Sequence, residues 1–289
     1  MLGTKILGFS GKKGSGKNTA ANFVVGTFMK ALELTQGDFK ILSSGELFLP
    51  DILGDDQNQG IFNINDQSAN MQDFCQKHLY EFVKLYSFAD ILKYEVCIKI
   101  LGLTHAQCFD AAHKNDKTHL LWENMPGVIT DIDEPDSSIN VKEIFGRLGK
   151  YYTKFGDVVY HKAGPMTARE VMQFMGTEIF RKIYHNVWVD CLIRQIKKDR
   201  PLMAIITDVR FPNEVDGIIS INEPDLNGAC IRLLRNPHQD SHESEIALDN
   251  YPLENYLKVI DNSNMTIQEQ NIEIADTLES HGWLPHAMI

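Results

Sequence analysis

The chain has 289 residues, 43% of them hydrophobic, and a formal net charge of −11. That length and apolar share suffice for a large α/β core, while the acidic balance argues against a surface that coats nucleic acid, which needs many exposed Lys and Arg. The five cysteines are widely spaced with no C-x-x-C pair, and no run of 18 apolar residues marks a membrane span, so a protein of the reducing cytoplasm is expected, without direct DNA binding or membrane attachment.

The first element is a predicted core strand, Ile6-Leu7-Gly8-Phe9, read as such rather than as a signal peptide. It runs into Gly11-Lys12-Lys13-Gly14-Ser15-Gly16-Lys17 and then Asn18-Thr19-Ala20-Ala21, which opens a helix predicted to reach Leu34. Strand, glycine-rich loop and helix are the context in which G-x-x-x-x-G-K cradles phosphate. The loop N–H groups point inward, the helix N-terminus adds positive potential, and the lysine reaches the β- and γ-phosphates of a nucleoside triphosphate. The ATP-binding set read here is Gly11, Gly14, Ser15, Gly16, Lys17, Asn18 and Thr19. Asn18 stands where Ser or Thr would give a hydroxyl to Mg²⁺, and Thr19 points roughly 100° further round the helix. The Asn18 amide or a bridging water is therefore expected to serve the metal, which keeps several waters in any case.

Further along, Lys40-Ile41-Leu42-Ser43 is a candidate strand, residues 51–70 a polar loop and Gln72–Glu81 a helix. Phe82–Phe88 alternates like a strand ending in Ala89-Asp90, and a helix follows from Ile91 to about Leu101. From about Thr104 to Pro165 regularity is lost and the run Asp131-Ile132-Asp133-Glu134-Pro135-Asp136 appears; this is read as an insertion in a single domain, either a lid or a surface excursion. Thr167 and Glu170 predict a capping box for a helix to Met175, Gly176-Thr177 should break it, and a second helix should run from about Glu178 to Lys198. The apolar run Leu202–Thr207 ends in Asp208 and suits the middle of a parallel sheet. Ligands of open α/β sheets gather at strand carboxyl ends, so Asp208 is expected to meet the glycine loop and order Mg²⁺ and its waters; a cap for the next helix is the plainer alternative. Ala229–Leu234 is a further strand, leading to Arg235-Asn236-Pro237, and a helix from Thr266 to Ser280 closes the domain. The ten histidines lack carboxylates or thiols at ligand spacing.

Several segments together resemble the deoxynucleoside monophosphate kinases of tailed bacteriophages. They are the loop with a non-hydroxyl residue after its lysine, Phe88-Ala89-Asp90-Ile91-Leu92-Lys93, Thr167-Ala168-Arg169-Glu170-Val171-Met172-Gln173-Phe174-Met175-Gly176-Thr177 and Asp208-Val209-Arg210-Phe211-Pro212-Asn213-Glu214. Ser241-His242-Glu243-Ser244-Glu245 and Val259-Ile260-Asp261-Asn262 add to them. The resemblance implies a P-loop NTPase fold of the nucleoside monophosphate kinase type, a parallel sheet flanked by helices with a lid or acceptor region inserted at about 104–165. It implies phosphorylation of deoxynucleoside 5′-monophosphates with ATP and Mg²⁺, supplying DNA precursors, by a cytoplasmic homodimer. It places Lys13, Lys17, Arg169, Asp208, Arg210 and Glu214 in the catalytic set and Arg235 at ATP. At the acceptor it places Lys13, Ala89, Asp90, Lys117, Arg169, Gly176, Thr177, Arg181 and Trp188.

Charge supplies the reason for such a set. Moving a γ-phosphoryl group onto a monophosphate brings two polyanions together, so cations must flank both, and planar guanidinium groups match phosphate oxygens two at a time. Asp208 is expected to order metal waters rather than remove a proton, because the attacking phosphate oxygen is already ionised. Two other readings stay open on the residues themselves: a kinase of another phosphorylated small molecule, as in phosphomevalonate-type kinases, or a module that binds ATP without transferring phosphate.

Overall fold

A computed structural model describes residues 3–52, 59–66, 68–130, 159–237 and 243–284. The chain divides into two compact units, one made of Met1–Asp90 with Asn186–Ile289, the other of Ile91–His185.

The first unit is built on five parallel strands: β1 (Thr4–Gly11), β2 (Val83–Tyr86), β3 (Met203–Val209), β4 (Leu226–Leu233) and β5 (Lys258–Ile260). Their order across the sheet is β2-β3-β1-β4-β5, with the two-residue strand Asn222–Glu223 antiparallel to the start of β4. β1 is thus central, with the helix Lys17–Ala31 against one face and Pro212–Ile219 against the other, which is why its side chains form a near-continuous buried run instead of alternating. Strands later in the chain lie on either side of β1, so its carboxyl end falls at a topological switch point, where open sheets leave a crevice.

Helix α1 (Lys17–Ala31) buries Ala20, Ala21, Val24, Val25, Phe28 and Met29, a stripe at helical spacing, and packs against β1 and the helix Ile267–Ser280. Phe9, Leu7, Ile205, Ile231 and Leu278 complete this core. Each fully buried side chain of this size contributes roughly 1.5–3 kcal/mol before entropy is counted. Gly228 of β4 marks the tightest approach: a Cβ there would stand 1.9 Å from the Ile218 carbonyl oxygen.

Several expected boundaries move. The polar stretch 51–70 contains a strand, Gly60–Phe62, paired antiparallel with Leu47–Leu49, which in turn pairs with Lys40–Ile41. Residues 53–58 and 67 lie outside the described part. The strand read through Phe88 ends at Tyr86, because the Asp208 carboxylate accepts the Phe88 and Ala89 N–H groups and turns the chain into the short helix Phe88–Ile91. Lys258–Ile260 adds a parallel strand that the sequence reading did not assign.

In the second unit the expected helix over 91–101 is largely a π-helix, Leu92–Ile100. Thr104 and Thr167 each cap a helix through a reciprocal box, with Gln107 and Glu170 as partners; the second was expected and the first was not. Gly176-Thr177 do not break the helix after Ala168–Gln173 but sit inside a second π-helix, Phe174–Phe180. A Cβ on Gly176 would stand 2.9 Å from Leu92 Cδ2, so the glycine serves close packing here rather than termination. The long helix expected from Glu178 to Lys198 is two pieces, Arg181–Ile183 and Val187–Asp199, because Tyr184 takes an extended conformation. Within 104–165 there are the helix His105–Phe109, the strand Lys117–Leu121 paired with Pro165–Thr167, and the pair Val128–Ile129 with Val159–Tyr160. The acidic run 131–136 lies outside the described residues. Trp122, Phe174, Met166, Val171 and Leu103 form this unit's core. Among the described residues, no helix is long and apolar enough to cross a membrane.

Candidate functional site

At the carboxyl end of β1 the chain turns through Gly11, Gly14 and Gly16 with φ of 156°, 74° and 100°, values that L side chains rarely adopt. Gly16 is the N-cap of α1, and a Cβ there would meet Gln270 Oε1 at 2.9 Å. Its N-cap glycine offers no side-chain cap and no acidic residue lies in its first turn, so the helix's own sequence places no carboxylate at its N–H groups and positive dipole end. Asn262, from the loop after β5, holds the turn from behind by donating to the Ser15 carbonyl at 2.7 Å, while its own carbonyl accepts the Arg235 N–H at 2.9 Å.

Lys17 is the central cation. Only 8% exposed, it curls back so that its Nζ donates to the carbonyls of Gly11 at 2.7 Å and Lys12 at 2.8 Å. Burial, reinforced by the nearby Arg210 and Arg232 and opposed by Glu245 and Asp208, lowers its pKa from 10.5 to about 8. Asp208, at the end of β3, accepts from Ser87 Oγ at 2.7 Å, Phe88 N at 2.9 Å and Ala89 N at 3.1 Å. Ala89 and Asp90 thus lie on the helix that Asp208 starts. Glu214 accepts the Arg210 and Phe211 N–H groups at 2.7 and 3.1 Å, closing the first turn of the helix Pro212–Ile219. The Arg210 guanidinium pairs with Glu245 through Nη1. Arg232, buried in β4, donates to Ser10 Oγ at 2.8 Å.

A magnesium ion suits this donor set in one particular way. Among the described residues no three His, Cys, Asp or Glu side chains are grouped to hold a metal. The Asn18 side chain is exposed beside the loop, and Asp208 has three of its roughly four acceptor sites taken by hydrogen bonds. These residues fit an ion brought in on phosphates and reached mostly through water, the usual habit of Mg²⁺. Thr19 packs against the turn at Gly45, where a Cβ would stand 2.3 Å from its hydroxyl oxygen.

The remaining residues named from the sequence are divided between the units. Trp188 belongs to the first, buried on the helix Val187–Asp199. Arg169, Gly176, Thr177, Arg181 and Lys117 belong to the second. Arg169 is exposed at the start of its helix, its backbone N–H bonded to the Lys114 carbonyl at 2.8 Å and its Nε to Asn115 Oδ1 at 3.2 Å. Lys117 instead donates to the Pro165 carbonyl at 2.9 Å and lies 4.0 Å from Glu170. Lys114 is the lysine set beside Arg169: burial, then repulsion from Lys93 and Arg169, lowers its pKa, and the Asp110 carboxylate offsets this only in part. Sequence reasoning missed Lys114 because an irregular segment offers no period from which to read its direction. It also gave Arg232 and Asp249 no role and read Glu245 only within a resembling segment, since Ser10, Lys12 and Lys13, which these residues meet, lie more than 200 residues away along the chain.

A parallel α/β sheet flanked by helices, with a glycine-rich turn at the carboxyl end of its central strand and an aspartate ending the next, is compatible with a P-loop kinase. The chain is 36% identical over 70 residues, 24% of its length, to the deoxynucleoside-5′-monophosphate kinase of Escherichia phage T5. It spans just over a quarter of that relative, 28%. No family model matches the chain.

Proposed function

We propose that this protein is a nucleotide kinase that moves the γ-phosphoryl group of ATP onto a deoxynucleoside 5′-monophosphate. The observation that carries this reading is the buried Lys17, held by the carbonyls of its own glycine loop at the carboxyl end of the central strand, with burial and two arginines outweighing the carboxylates near it. A phosphate chain seated on the loop N–H groups supplies the opposing charge. The partial likeness to a deoxynucleoside-5′-monophosphate kinase supports the choice of acceptor.

In this reading Gly11, Gly14, Ser15 and Gly16 cradle the donor phosphates with Lys17, and Arg235 lies on the ATP side. Lys13 and Arg210 face the transferring group, where a guanidinium spreads over the charge that develops on its oxygens. Asn18 and Asp208 would hold the waters of a bound Mg²⁺, which would supply positive charge against the donor phosphates. Glu214 acts by fixing the backbone at Arg210. Arg169 with Lys114 beside it, together with Gly176, Thr177 and Arg181, receives the acceptor monophosphate, and Lys117, Ala89, Asp90 and Trp188 complete the acceptor set read from the sequence.

The test is direct. The full chain is incubated with ATP, Mg²⁺ and a panel of deoxynucleoside monophosphates, ribonucleoside monophosphates and non-nucleotide phosphate esters, and diphosphate products are resolved by chromatography. Diphosphates formed from deoxynucleotides support the reading. ATP bound at the loop with no acceptor phosphorylated would refute it.

A further inference from the structure

Glu245 stands out among the buried charges because nothing in the phosphate-transfer scheme asks for a carboxylate beside the glycine loop. It is 8% exposed, on the short helix Glu243–Ile246. Its Oε2 accepts the Lys13 N–H at 2.6 Å, its Oε1 pairs with Arg210 Nη1, and its charge acts on Lys17. Four residues on, Asp249 takes the Lys12 ammonium at 3.0 Å and lies 3.8 Å from Arg232. Two carboxylates from one segment thus hold the tip of the loop and both nearby arginines.

Burying a carboxylate is costly unless it is paired and hydrogen-bonded, so its survival here ties three groups into one arrangement. Arg210 gives Glu245 a single nitrogen. Among the described residues its Nε and Nη2 carry no hydrogen bond, and the side chain stays 31% exposed, so one edge of the fork is anchored and the other left for an anion. An arginine held this way keeps its direction before any ligand arrives, which lowers the ordering cost of an electrostatic clamp.

We infer that Glu245 is a positioning residue: it fixes the tip of the glycine loop through the Lys13 N–H and the reactive direction of Arg210 through its guanidinium. Asp249, 38% exposed at its side chain, plays the same part for Lys12 more weakly because solvent screens it. For its rate effect this inference rests on the kinase reading; for its hold on the loop it does not.

The test therefore has two arms. In the first, the protein alone is labelled with ¹⁵N and hydrogen exchange at the Lys13 amide is followed by NMR. Glu245→Gln should speed that exchange about tenfold or more, since a charge-assisted hydrogen bond becomes a neutral one, and Asp249→Asn should change it less than about threefold. In the second, steady-state phosphoryl transfer is measured. Glu245→Gln should lose about 10–100-fold in kcat, the scale of a small misplacement of a reacting group, with KM for ATP changed less than about threefold. Glu245→Asp keeps the charge but not the reach, so it should also speed exchange at Lys13 and lose kcat; it serves if the amide variant does not fold. Lys13 exchange at the parent rate in Glu245→Gln, or full kcat in Glu245→Asp, would overturn the inference. So would tighter ATP binding with undiminished kcat in Glu245→Gln, since Glu245 would then be a competitor for the phosphate's place. Absence of any transfer by the parent protein would remove the kinase reading and leave the NMR arm to decide the hold on the loop alone.

Discussion

Replacing Lys17 with Met removes a cation that the folded protein holds at a cost. The lowering of its pKa from 10.5 to about 8 corresponds to about 3 kcal/mol by which the ammonium is disfavoured on folding. Below pH 8 both folded and unfolded chains carry the proton and that penalty is present in full. Between pH 8 and 10.5 the unfolded chain holds more of the proton, so stability rises with pH by up to about 1.4 kcal/mol per unit. Met abolishes this rise but also forfeits the two hydrogen bonds to the Gly11 and Lys12 carbonyls, about 1 kcal/mol each. At pH 7 the ligand-free Lys17→Met protein should therefore be more stable than the parent by about 1 kcal/mol, or roughly 2–4 °C in Tm for a chain of this size. By pH 10 the advantage should have disappeared or reversed. Urea unfolding of both proteins from pH 7 to 10 gives the comparison, and the difference between them cancels the titration of other groups. A variant that is less stable at pH 7, or a difference that does not change with pH, would show that Lys17 is not held against its charge. The same variant should gain no thermal stability from ATP, whereas the parent should.

Three further outcomes are expected. If phosphate restores full charge to Lys17, calorimetry of ATP binding at pH 9 in buffers of different ionisation enthalpy should show uptake of nearly one proton and affinity roughly tenfold weaker than at pH 7; no uptake would contradict the placement of the phosphates at Lys17. Lys114→Gln should raise KM for the acceptor at least about tenfold with KM for ATP nearly unchanged, since losing a charge-assisted bond to phosphate costs about 1.5–3 kcal/mol, and Lys117→Gln should raise it less, because the Pro165 carbonyl already holds that ammonium; the opposite ranking would put Lys117, not Lys114, at the acceptor phosphate. Gly228→Ala would place a methyl group 1.9 Å from the Ile218 carbonyl oxygen and should cost about 3 kcal/mol, read as a lower urea midpoint at unchanged slope; an unaltered midpoint would mean that the helix Pro212–Ile219 gives way easily.

What the sequence determined by itself was local. The glycine pattern from Gly11 to Lys17, the apolar runs of β1 and β3, and the Thr167–Glu170 box each specify their geometry within a few residues, because φ preference, strand burial and capping are short-range effects. Helix ends were less legible where an interaction from elsewhere set them: Asp208 starts the helix at Phe88 from 120 residues away, and Gly176, which looks like a helix stop, answers to its contact with Leu92. Charge placement belonged to tertiary structure altogether. Only folding brings Glu245 to the Lys13 N–H, sets Lys114 rather than Lys117 beside Arg169, and lowers the pKa of Lys17 through burial and the nearby arginines. Electrostatic strength depends on distance and solvent exclusion, and neither is written in the order of residues along a chain.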